Sequence, residues 1–159
     1  MRRVCIRLID ESLIADLAGQ AEASPRRRAI VRFHEHEEPV QRMLNALRDD
    51  SYVQPHRHQD PDKVELFVAL TGRLLVLEFD DDGQVTSHAV IDGQGPVRGA
   101  EIRPRTWHAL LALDPVAVAL EIIEGPFDAA THKKFAPWAP EDPVEGLRWV
   151  RAIRDAVLG

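Results

Sequence analysis

Tyr52-Val53-Gln54-Pro55-His56-Arg57-His58 and, shortly after it, Val64-Glu65-Leu66-Phe67-Val68-Ala69-Leu70-Thr71-Gly72 read as two β-strands. Side chains alternate along a strand, so His56 and His58 share one face, with Tyr52 and Gln54 behind them. Two imidazoles two residues apart on one face form a chelating pair. Glu65 stands in an apolar strand on the face of Phe67 and Ala69. A carboxylate there is costly unless a positive group meets it, either a metal ion or an arginine such as Arg73 or Arg57. His108 opens a further apolar strand after Ile102-Arg103-Pro104-Arg105-Thr106-Trp107. Three histidines and one carboxylate planted in strands make a nitrogen-and-oxygen donor set suited to Zn, Fe, Mn, Ni or Co.

Outward from this centre, short β-rich segments alternate with turn residues. Strands are expected at 52–58, 64–71, 73–80, 85–91, 98–102, 107–113 and 116–123. Thr71-Gly72, Asp80-Asp81-Asp82-Gly83, Gly93-Gln94-Gly95-Pro96 and Asp114-Pro115 supply the turns between them. Many short strands without crossover helices predict a mainly β sandwich or barrel. Before it, residues 1–10 read as a strand or extended arm, 11–22 as a helix and 29–34 as a strand. Residues 38–49 read as a second helix, with Pro39 in its first turn and Val40, Met43, Leu44 and Leu47 at helical spacing. After it, Gly125 to Pro140 reads as a strap rich in proline and aromatic residues, and Glu145 to Leu158 as a closing helix. The expected division is an N-terminal extension over 1–50, a barrel over 51–124 and a C-terminal strap and helix over 125–159, all in one structural domain.

The chain has 159 residues, 45% of them apolar, enough for one core and too few for two. Its formal net charge of −6, with basic residues scattered among acidic ones, argues against nucleic-acid binding. No apolar run approaches membrane-spanning length, so no membrane association is expected. The one cysteine, Cys5, cannot form an internal disulfide and reads as a small core residue. With no secretory signal in the opening residues, a cytoplasmic location is expected.

The spacing of His56-x-His58, Glu65 and Gly72 resembles the first motif of the cupins, and Arg103 to His108 resembles the second. Ser51 to His58, Glu65-Leu66-Phe67, Thr71-Gly72-Arg73-Leu74, Phe79 to Gly83 and Thr106-Trp107-His108-Ala109 are similar to the WbuC family of cupin-fold metalloproteins. So are Glu121-x-x-Glu124-Gly125-Pro126-Phe127-Asp128 and Lys134 to Pro140. The resemblance covers roughly residues 30 to 143. It implies a double-stranded β-helix (jelly roll) with one divalent metal ion (Zn, Fe, Mn or Ni) on His56, His58, Glu65 and His108. The sequence departs from the commonest pattern in three places. The His58-to-Glu65 gap is longer, Arg103 and Arg105 replace the usual proline and glycine, and Ala112 stands where some cupins carry asparagine.

Around the four residues, Arg32 and His34 share a strand face. Arg32 is a candidate for holding an anionic substrate group and His34 for moving a proton, against a surface ion pair and an exposed imidazole. Tyr52 is expected to project a phenol beside the metal, so Glu65, Tyr52 and His34 are the candidate catalytic groups. Arg32, Arg57 and Trp138 are the candidate substrate contacts, although Trp138 also reads as a hydrophobic plug at a barrel end. Lys133, Lys134 and Phe135 are expected to roof the pocket beside Trp138. Glu121 either orients a ligand imidazole or faces solvent. The expected function is metal-dependent chemistry of isomerase or epimerase type on a sugar, nucleotide-sugar or small acid, in polysaccharide-related metabolism. A non-catalytic metal-anchored binding module and an iron-dependent dioxygenase are the alternatives. A homodimer, exchanging the arm at Arg3 to Ile9, is the expected assembly.

Overall fold

The structure is a computed structural model and describes residues 6–159. Val4 and Cys5, with the first part of the expected arm, lie outside the described residues. Residues 6–10 form no strand. Arg7 ties them down, donating from Nη1 to the Arg32 carbonyl at 2.9 Å and stacking 4.2 Å from the Phe33 ring centre.

Helix α1 (Glu11–Ala23) is capped by Asp10, whose side chain accepts from the Leu13 amide. Ten strands follow: β1 (Arg28–Arg32), β2 (Val40–Arg48), β3 (His56–Arg57), β4 (Glu65–Thr71), β5 (Arg73–Phe79), β6 (Val85–Asp92), β7 (Gly99–Ile102), β8 (Trp107–Ala112), β9 (Val116–Glu124) and β10 (Lys134–Phe135). Helix α2 (Pro143–Leu158) closes the described chain, with Asp142 capping it and Pro143 in its first turn. No helix is long and apolar enough to cross a membrane among the described residues.

The strands form two five-stranded antiparallel sheets, ordered β1-β2-β9-β4-β7 and β10-β3-β8-β5-β6. Between them lies a core built from Phe67, Leu74, Val76, Ile91, Ile102 and Leu110. Each sheet is also covered outside. Leu17 and Ala21 of α1 pack on Leu44, Ala46 and Val118 of the first sheet. Val150 of α2 packs on the second sheet with Leu75, Leu77, Trp107 and Leu111. This is the expected mainly β jelly roll.

Residues 38–49 correct the sequence reading. Val40–Arg48 form strand β2, paired with β1 on one side and with β9 along its full length. Gln41, Met43, Asn45 and Leu47 line the interior, while Leu44 and Ala46 meet α1. A strand buried on both faces loses its two-residue alternation, and what remains here resembles a helical stripe. Because β2 lies inside the first sheet, residues 1–50 contribute barrel wall as well as extension. The strand expected over 52–58 shrinks to His56–Arg57.

Candidate metal centre

Three strands deliver four side chains to one end of the space between the sheets. His56 lies in β3, His58 just beyond it, Glu65 opens β4 and His108 lies in β8, where it is the cross-strand partner of His56. All four are buried, and one potential ligand atom from each falls within 4.8 Å of the others. The His56 and His108 ring centres are 4.5 Å apart, and those of His58 and His108 5.6 Å.

The backbone sets how each imidazole presents itself. Nδ1 of His56 donates to the Gln54 carbonyl at 2.9 Å, Nδ1 of His108 to the Thr106 carbonyl at 2.9 Å, and Nδ1 of His58 to the His132 carbonyl at 2.6 Å. A carbonyl only accepts, so each Nδ1 carries a hydrogen, and in the neutral imidazole each Nε2 is then a lone pair. Glu65 Oε2 lies 2.9 Å from Nε2 of His108 and 3.2 Å from Nε2 of His58. Lone pairs facing a carboxylate repel unless a proton or a cation lies among them. His108 Nε2 has no hydrogen-bond partner despite complete burial. Burial raises the Glu65 carboxyl, but where protons on the facing His108 and His58 imidazoles take the place of an ion they outweigh this and hold it well below the usual carboxylate range. Burial, reinforced by the charge of Lys133, keeps His56 well below its ordinary value and so neutral. This donor set fits a divalent ion.

Turn geometry supports the arrangement. Gly72 has φ +69°, and a Cβ there would meet the Val116 carbonyl at 2.6 Å. Arg105, standing where glycine is usual, has φ +66°. Its amide donates to the His58 carbonyl at 2.9 Å, so this strained turn braces a ligand-bearing segment.

A cavity of about 550 Å³ opens beside the four residues, and His56, Glu65, Arg32 and His34 line it together. His34 Nδ1 is 2.7 Å from both the backbone nitrogen and carbonyl oxygen of Arg42. Lys133 and Phe135 also line the cavity, as expected, whereas Lys134 and Trp138 do not.

Three expected neighbours are elsewhere. Tyr52 packs in the core beneath α2 and donates to the Pro140 carbonyl at 2.8 Å; burial pushes its phenol up to about 12. Residues 51–55 are not a strand, so alternation does not carry Tyr52 to the face of His56. Arg57 does alternate with His56 and so faces outward, 3.1 Å from Asp81 and over the Trp107 ring. Trp138 joins Phe79, Trp107 and Trp149 on the outer side of the second sheet, its ring against Gly83.

Other cavity residues escaped the sequence reading. Asn45, expected in a helix, donates to Oε2 of Glu121, which is buried beside Glu65. Burial and the Glu65 charge push the Glu121 carboxyl well above its ordinary value. His132 lies in the strap with its ring 5.1 Å from that of His58, and burial with the Lys133 charge drives it down to about 3. Glu121 was visible at an inward position of an apolar strand. No local signal marks His132.

Known structures share this fold at low sequence identity. The capsular polysaccharide assembling protein CapF from Staphylococcus aureus is 16% identical with a TM-score of 0.59, over 70% of this chain and 32% of that one. Oxalate oxidase in complex with the substrate analogue glycolate is 16% identical with a TM-score of 0.58, over 96% of this chain and 77% of that one. TT1209 from Thermus thermophilus is 18% identical with a TM-score of 0.55, over 75% of this chain and 97% of that one. The chain thus spans about a third of the length of CapF. No curated protein matches it in sequence. The family model described as a domain of unknown function, DUF6016, matches residues 9–91, just over half of the chain. The chain is therefore a cupin-fold protein that belongs to the DUF6016 family.

Proposed function

We propose that this protein holds one divalent metal ion on His56, His58, Glu65 and His108. We further propose that it acts as a small metalloenzyme, of isomerase or epimerase kind, on a sugar, nucleotide-sugar or small acid. The observation that carries the reading is the convergence, within 4.8 Å, of one ligand atom from each of three histidines and one carboxylate, each imidazole oriented by a backbone carbonyl. Bound there, a divalent ion would polarise a substrate oxygen. Glu65 serves the ion, and Tyr52 lies away from the cavity. The groups that can hold or move a proton beside a substrate are therefore His34 and the neutral carboxyl of Glu121, which Asn45 orients. Arg32 is available to an anionic substituent.

One fold neighbour is named for capsular polysaccharide assembly and another holds glycolate, a small acid, which supports the two ends of this substrate range. The segments quoted above support a closer grouping with the WbuC family and with polysaccharide-related metabolism. A cytoplasmic homodimer is the assembly we propose, supported by the exposure of Ile6, Leu8 and Ile9; a monomeric mass by light scattering would refute the dimer.

The decisive experiment is elemental analysis of protein purified without added metal, beside a His56→Ala/His108→Ala variant. Near-stoichiometric metal that the variant loses is the expected result, and iron would turn the reading toward oxygen chemistry. Equally low metal in both, after a reloading trial, would overturn it.

A further inference from the structure

The cavity does not end at the four converging side chains. The first sheet continues past β2 to its edge strand β1, whose Arg28, Ile30 and Arg32 stand on one face and line the cavity. The register tells how far Arg28 stands from the metal end. Glu65 is level with Ile123 and Ile123 with Gln41, whereas Arg28 is level with Leu47. From Gln41 to Leu47 is about 20 Å along an extended strand.

The charge distribution along this groove is uneven. Arg26 and Arg28 line its far part, Arg32 lies nearer the metal end at the level of Met43, and Lys133 is beside His56. None of these four makes a salt bridge among the described residues, although the chain carries an excess of acid. Arg27, lying between two of them in sequence, is paired with Asp50 at 2.8 Å. Arg28 is the best held of the set. Its Nη1 donates to the Tyr52 carbonyl at 2.6 Å and approaches Ser51 Oγ at 3.4 Å. Those contacts fix the guanidinium without neutralising it. Burial, then the charge of Arg26, lowers it to about 10. A half-buried, positioned guanidinium without a counter-ion is costly to the free protein and ready to accept a bidentate oxyanion.

We infer that Arg28, with Arg26, forms an oxyanion subsite at the end of the groove away from the metal centre, and that the ligand is elongated, with a phosphate-type anion at Arg28 and Arg32 lying between the two ends. Neither a single sugar nor a small acid bridges that span. The ligand therefore carries its phosphate-type anion beyond the sugar or acid at the metal end, separated from it by at least one further sugar-sized unit. The metal end of this inference rests on the proposed function; the anion end does not.

The test is calorimetric titration of inorganic pyrophosphate, and separately malonate, into chelator-treated protein. Saturable pyrophosphate binding, tighter than malonate binding, is expected. Arg28→Gln should weaken it about tenfold, the loss of a charge-assisted hydrogen-bond pair. Arg26→Gln should weaken it severalfold. The Arg26 side chain makes no hydrogen bond among the described residues, so this variant carries the test if Arg28→Gln fails to fold. The His56→Ala/His108→Ala variant should bind pyrophosphate as the parent does. Absence of saturable binding would overturn the inference. So would binding kept in both arginine variants and lost in the histidine variant. Malonate binding tighter than pyrophosphate would overturn the phosphate-type assignment. Elemental analysis that finds no metal refutes the proposed function alone, because pyrophosphate binding is read on metal-free protein.

Discussion

Gly146→Ala would destabilise this protein, although an alanine inside a helix is ordinarily an improvement. Gly146 lies in α2, its amide bonded to the Asp142 carbonyl at 2.8 Å. Helix propensity alone favours alanine there by about 1 kcal/mol. The structure opposes that gain. An added Cβ would meet Cε1, Cζ and Cδ1 of Tyr52 at no more than 2.5 Å. The ring cannot retreat, because Tyr52 is 7% exposed and its hydroxyl is held by the Pro140 carbonyl. Overpacking of this kind costs about 1–3 kcal/mol, and more when the neighbour is pinned. With Tyr52 pinned the upper end of that range applies, so the net loss is about 2 kcal/mol, a fall in Tm of about 4–8 °C for a chain of this length. The assay is thermal unfolding of four proteins: parent, Gly146→Ala, Tyr52→Ala and the double variant. In the Tyr52→Ala background the clash is gone and Gly146→Ala should raise Tm. A rise in the parent background would refute the reasoning and return Tyr52 to the cavity.

Loading with the native ion at a hundred times its Kd should add about 2.7 kcal/mol, or about 5–11 °C in Tm. The His56→Ala/His108→Ala variant should show no shift, and a shift of equal size there would place the ion elsewhere. Glu121→Gln should alter the pH dependence of stability in chelator-treated protein. Burial and then Glu65 raise the Glu121 carboxyl, so its stabilising neutral form is present below the unfolded value of about 4.3 and is lost as pH rises through the higher folded value. Glutamine copies the neutral form. The variant's Tm advantage should therefore grow from acid towards neutral pH, and a difference flat with pH would contradict this. Leu17→Ala, removing a fully buried contact of α1 with Leu44 and Val118, should cost about 2–5 kcal/mol in denaturant unfolding; a loss below 1 kcal/mol would mean that α1 is not anchored on the first sheet.

The metal-ligating pattern was legible because strand alternation turns spacing into direction. His56, Glu65 and His108 each stand in or at the start of a strand, and their inward faces follow from their apolar neighbours. The same rule argued against Arg57, which alternates with His56 and so faces away. Two other errors have physical sources. In β2, burial on both faces erased the periodic signal, and Met43, Leu44 and Leu47 are strong helix formers. That error hid Asn45, which as a helix residue had no reason to meet Glu121. Tyr52 was misplaced because alternation was extended through Gln54 and Pro55, which form no ladder. Arg28 and His132 reach the site through sheet order and chain return, properties of the tertiary fold that no local pattern encodes.

The His58 imidazole is held by the carbonyl of His132, 74 residues further along the chain. β10, just after His132, pairs with β3 and sets Phe135 beside His56. During synthesis all four converging side chains emerge before the segment that orients one of them exists. A nascent chain that has passed His108 but not His132 therefore carries a loose chelating pair, with the His58 tautomer unset. On the proposed function, an ion would meet all three imidazoles in their final orientation only once the strap has closed over His58.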